Sequence, residues 1–86
     1  MKNRVYEYRT RMNMTQSELS RIVNVSRQTI NSIERSKFNP TLVLAHKLSQ
    51  IFEITIDDLF IFEDDENINF EMIKYHKKEA KHDTNN

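Results

Sequence analysis

Eighty-six residues, 37% of them hydrophobic and none of them cysteine, make one small domain with room for a helical core but not for disulfides or thiolate metal sites. No apolar run reaches the length of a membrane span, and no signal-peptide core follows Met1-Lys2, so the expected compartment is the cytoplasm. The formal charge is zero but unevenly spread. Residues 1–40 hold eight Lys/Arg against three Asp/Glu, residues 41–66 one against seven, and residues 67–86 four against three. A basic front with an acidic middle suits a protein that meets phosphates with one face only.

There is no glycine, and Pro40 is the single proline. From the N-terminus, Val5, Tyr8 and Met12 recur at i, i+3 and i+7, one apolar stripe of a helix over residues 3–11. Asn13 follows, a residue that tolerates the left-handed conformation at a helix end. Thr15 with Glu18 three residues on is a capping box, and Met14 with Leu19 is a hydrophobic staple, so a second helix starts near Gln16. Leu19, Ile22 and Val23 share its inner arc. Asn24 ends it.

Ser26 is the N-cap of a third helix over residues 26–35, with Val25 and Ile30 as a second staple. At 100° per residue, Thr29, Ile30 and Ile33 turn inward, while Arg27, Gln28, Asn31, Ser32 and Arg35 turn outward. Residues 36–40 form a loop. Thr41 caps a fourth helix with Ala45, Leu48 and Phe52 inward. Thr55 with Asp58 is another capping box and Ile54 with Leu59 a third staple, giving a short fifth helix. Phe60-Ile61-Phe62 is a short apolar run, either a strand or the end of the core. Residues 63–66 read as a solvated acidic run. Ile68, Met72, Tyr75 and Glu79 stand at helical spacing, a marginal amphipathic helix over residues 67–81. Residues 82–86 are expected to be disordered. The chain thus divides into a domain over residues 1–63 and an acidic-then-basic tail over residues 64–86.

Two helices of about eight residues joined by a turn of three to four residues form the helix-turn-helix unit. In that unit the first helix crosses the second, and the second projects polar side chains into the major groove. The polar face of residues 26–35 has the chemistry for it. Arg27 can pair bidentately with guanine O6 and N7, and Gln28 or Asn31 with adenine N6 and N7. Ser32 stands beside them. Gln16, Ser26, Arg35 and Lys37 suit phosphate contacts that set register. The bland alternative for each is a solvated polar residue on an outer helix face.

Residues 3–60 resemble the phage-repressor/Cro-like (XRE-type) helix-turn-helix family. The residues that carry the resemblance are Arg9, Thr15 to Leu19, Val25 to Ile30, Glu34, Lys37, Asn39-Pro40 and Ile56 to Phe60. It implies an all-α, compact five-helix domain acting as a homodimer on a near-palindromic double-stranded DNA operator. It implies that Gln16 clamps a phosphate, that Arg27, Gln28 and Ser32 stand where the family reads bases, and that Lys37 touches backbone. It also implies a buried ion pair between Arg9 and Glu34. Where the family usually has glycine this chain has Asn13, Asn24, Ser36 and Glu53, and where it has alanine this chain has Ser20.

Other chemistry finds no support. His46, His76 and His82 are too scattered for a metal site, Asp57-Asp58 and Asp64-Asp65-Glu66 lack EF-hand spacing, and a chain without glycine has no phosphate loop. The expectation is a non-enzymatic protein with no cofactor. Two functions remain open. One is a homodimeric transcriptional regulator, a repressor, pairing through the fifth helix, Leu59, Phe60, Ile61 and Phe62, or the 67–81 segment. The other is an antitoxin-like or other interaction module whose tail binds a partner protein.

Overall fold

The computed structural model describes residues 1–74 and 76. In chain order they form β1 (Lys2–Asn3), α1 (Val5–Arg11), α2 (Gln16–Ile22), α3 (Arg27–Glu34), α4 (Leu42–Phe52), α5 (Ile56–Leu59) and β2 (Phe60–Ile61), followed by 3-10 turns at Asp64–Glu66 and Phe70–Ile73.

Local chemistry sets most helix boundaries. Thr15, Ser26, Thr41 and Thr55 each stand in extended backbone and accept the amide of the residue three places on. Each hydroxyl satisfies one of the amides that a helix start leaves unpaired. At Thr15 the box is complete, because Glu18 Oε1 accepts the Thr15 amide at 2.8 Å. At Thr55 only the hydroxyl arm forms; Asp58 does not reach back. Asn13, Asn24, Ser36 and Glu53 hold φ of 55–59°. They are the left-handed residues that follow α1, α2, α3 and α4, the four places where the family usually has glycine.

The core is one cluster in which Val5, Leu19, Val23, Ile30, Ile33, Leu48, Leu59 and Phe60 are fully buried. Tyr8 packs against it with its ring 5.8 Å from that of Phe52. Two expected stripe residues stay outside. Met12 is the C-cap of α1 and leaves the stripe where the helix ends, and Ile22 sits on the last residue of α2, at the edge of its arc. The contact between α2 and α3 is filled instead by Leu19, Val23 and the small buried Ser20, whose hydroxyl bonds back to Ser17 O.

The first helix starts two residues later than its apolar pattern suggests. Lys2 and Asn3 pair antiparallel with Ile61 and Phe60, and the Arg4 amide donates to Leu59 O at 2.9 Å. Asn3 then works at both ends: its Oδ1 accepts the Val5 amide, and its Nδ2 donates to Ile33 O at 2.7 Å. This strand pair closes the domain and explains the Phe60-Ile61-Phe62 run. It also removes Leu59 and Phe60 from the candidate pairing surface, because they are 0% and 1% exposed inside the core. The acidic run is organised rather than simply solvated. Glu63 and Glu66 cap one another's turn, and the Met1 ammonium sits 3.0 Å from Glu66 and 3.6 Å from Glu63. Of the helix expected over 67–81, residues 70–73 form a 3-10 turn, and Lys74 and His76 after it are α-helical. Tyr75 and residues 77–81 lie outside the described residues, as do His82 and the end expected to be disordered.

Candidate nucleic-acid interface

The position of α3 is fixed from beneath by polar groups as well as apolar ones. Arg9 on α1 holds Glu34 at the end of α3 with two bonds, Nε to Oε2 at 2.6 Å and Nη2 to Oε1 at 3.1 Å. Its remaining arm, Nη1, donates to Met14 O at 2.6 Å, just before α2. The side chains are 10% and 5% exposed, so this fork is largely withdrawn from water. Hydrogen bonding to Glu34 raises the guanidinium pKa above its already high usual value despite the opposing effect of burial. One side chain thereby ties α1, the start of α2 and the end of α3 together.

Gln16 extends the network to the surface. Its Nε2 donates to Glu34 Oε1 at 3.1 Å and to Asn31 Oδ1 at 3.2 Å. Asn31 is half-buried by this contact, as is Ser32 beside it. Ser26 spends its hydroxyl on the cap, accepting the Thr29 amide and sharing a hydrogen bond with Thr29 Oγ1 at 2.9 Å.

The rest of the face is open. Arg27, Gln28, Arg35 and Lys37 are exposed, and among the described residues their side chains have no hydrogen-bond or ion-pair partner. Ser26, Gln28, Thr29, Ser32, Lys37 and Phe38 line one depression beside α3. The structure therefore brings Ser26, Gln28, Ser32 and Lys37 around one hollow, puts Arg27 and Arg35 on the exposed face, and joins Gln16 to Asn31 apart from it. Phe38 escaped the sequence reading. Its signal was an aromatic in a polar loop with no apolar partner at helical spacing; it is 45% exposed at the edge of the hollow.

A second surface is apolar. Leu42 and Phe62 share a groove with Pro40, Ala45, Ile56 and Phe60. Ile61 and Phe62 remain exposed, as do Leu42 and Val43 at the start of α4. No group of His, Asp and Glu among the described residues is arranged to hold a metal ion. No helix among the described residues is long and apolar enough to cross a membrane.

Comparison with known proteins agrees with this architecture. The family model described as Helix-turn-helix matches residues 5–59, which span α1 to α5. An HTH-type transcriptional regulator of Methanocaldococcus jannaschii is 48% identical over 66 residues, covering 77% of this chain and 100% of that one. Among solved structures, the restriction-modification controller protein C.AhdI from Aeromonas hydrophila is similar with a TM-score of 0.60 and 30% identity, covering 66% of this chain and 86% of that one. The SinR/SinI protein complex contains a similar chain, with a TM-score of 0.61 and 26% identity over 90% of this chain and 75% of that one.

Proposed function

Because the chain belongs to the XRE-type helix-turn-helix family of DNA-binding transcriptional regulators, we propose that it binds a near-palindromic double-stranded operator as a homodimer and represses by occupying it. The observation that carries the reading is the exposed face of α3, where Arg27, Gln28, Arg35 and nearby Lys37 have no partner among the described residues. Cations and amides left open beside a rigid, well-capped helix suit groups displaced into a major groove. In this reading Arg27, Gln28, Asn31 and Ser32 meet base edges, and Ser26, Arg35 and Lys37 meet the backbone. Phe38 joins them as an apolar contact suited to a thymine methyl.

One recognition helix reads only half a site. Two-fold pairing places two copies of α3 one turn, about 34 Å, apart. Phe62 and Leu42, which share the groove, and the exposed Ile61 are the apolar side chains we assign to the pairing surface. A second reading keeps the same groove, and the exposed Ile68, Phe70 and Met72, for a different protein partner. The similar chain found in a complex with SinI favours that alternative.

Selection of bound sequences from a randomised duplex pool at physiological salt separates the two. The regulator reading expects an enriched inverted repeat with centres about one turn apart. Salt-sensitive background binding without enrichment would overturn it in favour of the protein-partner reading.

A further inference from the structure

We infer that Gln16 is a positioning residue that turns Asn31 into a hydrogen-bond donor toward the bases, so that Asn31 selects guanine rather than adenine. The inference rests on the proposed reading of α3 as the base-reading helix and names the specificity of one position on it.

The argument starts in the buried fork. The Glu34 carboxylate, held by Arg9, accepts hydrogen bonds and donates none. The side-chain atom of Gln16 that lies 3.1 Å from Glu34 Oε1 must therefore be its amide nitrogen, and this decides the orientation of the whole amide. That nitrogen has two protons. One goes to Glu34, and the other faces the side chain of Asn31 at 3.2 Å. A donor on Gln16 requires an acceptor on Asn31, so Asn31 turns Oδ1 toward Gln16 and keeps Nδ2 as its open donor group. The polarity of this half-buried amide is thus set by a carboxylate two residues away along a chain of bonds.

Two consequences follow. Gln16 has no free side-chain donor, because both Nε2 protons are committed inside the protein, while its main-chain amide, at the first position of α2, stays open. The only free group left on its side-chain amide is Oε1, an acceptor, which a phosphate oxygen does not bind. The Gln16 side chain is accordingly not the phosphate clamp that the family resemblance implies, which leaves that contact to its main-chain amide. Asn31, in turn, has Oδ1 turned toward Gln16 with one of its two lone pairs taken, which disfavours the two-bond contact with adenine, where Oδ1 must accept from N6 while Nδ2 donates to N7. The group of Asn31 left wholly unpartnered among the described residues is Nδ2, which offers donors alone. Guanine presents two adjacent acceptors, O6 and N7, whereas adenine sets a donor beside its N7.

The test compares three proteins, each selected on a randomised duplex pool: wild type, Asn31→Ala and Gln16→Met. Asn31→Ala locates the base pair that Asn31 reads. The wild type is expected to select guanine there. Gln16→Met frees Asn31 to rotate its amide and is expected to raise adenine against guanine at that position by about tenfold, the size of one good base contact. Preferences elsewhere in the half-site stay unchanged. A Gln16→Met protein that loses affinity for all sequences equally, with a salt slope lower by about one unit, would be behaving as a lost phosphate clamp and would overturn the inference. An Asn31→Ala protein with unchanged preference at every position would overturn it too. A wild type that enriches no sequence would instead bring down the reading of α3 itself.

Side-chain amide exchange in the free wild-type protein gives an answer independent of any variant's folding. Slowly exchanging Gln16 protons beside rapidly exchanging Asn31 protons are expected. The reverse pattern overturns the inference.

Discussion

Between α2 and α3, apolar side chains are buried and polar ones are held. Leu19, Ile30 and Ile33 are fully buried, and Arg9, Glu34, Gln16 and Asn31 form one connected set of hydrogen bonds. Past Phe60 the pattern reverses. Ile61, Phe62, Ile68, Phe70 and Met72 are all exposed, and beyond the pairing of Lys2 with Ile61 and the Met1 ammonium on Glu63 and Glu66 the segment is held largely by short-range turns such as Glu63 with Glu66. The first region is built to hold a fixed surface, and a fixed surface is what base discrimination requires. The second leaves apolar area uncovered, which a second copy would bury. In the proposed function, base contacts fall to the first region and pairing to the second.

The sharpest way to break this contrast is to cut the buried fork. Arg9→Met leaves the Glu34 carboxylate without its partner and is expected to cost about 3–5 kcal/mol, the usual penalty for an orphaned buried charge. Urea titration measures it. A loss below about 1 kcal/mol, the range of exposed pairs, would mean that α3 is not held from beneath. Gln28→Ala comes next. It should relax base preference at one position per half-site by about 1–3 kcal/mol of discrimination. Lys37→Ala should instead weaken all sequences alike and lower the salt slope by about one unit. If both lost affinity with no change in preference, the division between base contacts and backbone contacts would be wrong.

At the apolar end, Phe62→Asp should shift a dimer toward monomer in sedimentation equilibrium while leaving the thermal transition cooperative, because Phe62 lies outside the core. An unchanged dimer would move the pairing surface elsewhere. The smaller effects concern helix ends. Glu53 holds φ of 55° without being glycine, so Glu53→Gly should stabilise by up to about 1 kcal/mol, the left-handed penalty less the entropy that glycine loses. The Glu18 carboxylate, accepting the Thr15 amide, is held below its usual 4.5. Its contribution is therefore present in full above that value and is lost as pH falls through the lowered one. Glu18→Gln keeps a capping side chain but removes the titration, and should flatten the acid limb of the stability profile.

What the sequence disclosed about the fold was local. The caps at Thr15, Ser26, Thr41 and Thr55 were legible because a hydroxyl and an amide three residues apart are all a cap needs. The left-handed ends at Asn13 and Asn24 were legible for a similar reason. The β1–β2 pair was not. A two-residue strand has no periodicity, and its partner lies at the far end of the domain, so Leu59 and Phe60 looked free when they are core. At the candidate site, the outward set on α3 followed from the helical wheel. The wheel said nothing of where hydrogen-bond donors go. Gln16 and Asn31 stand on different helices, and only their approach at 3.2 Å shows that the donors of one are spent orienting the other. Phe38 was overlooked because a loop has no face to assign it to.

The central claim is that α3 meets bases through the major groove in two copies. Methylation interference on an enriched duplex tests it most directly, since methylation at guanine N7 blocks the major groove and methylation at adenine N3 blocks the minor. The account predicts interference from guanine N7 in both half-sites, spaced by about one helical turn, with no effect from adenine N3. Interference confined to backbone ethylation, or to adenine N3, would contradict it.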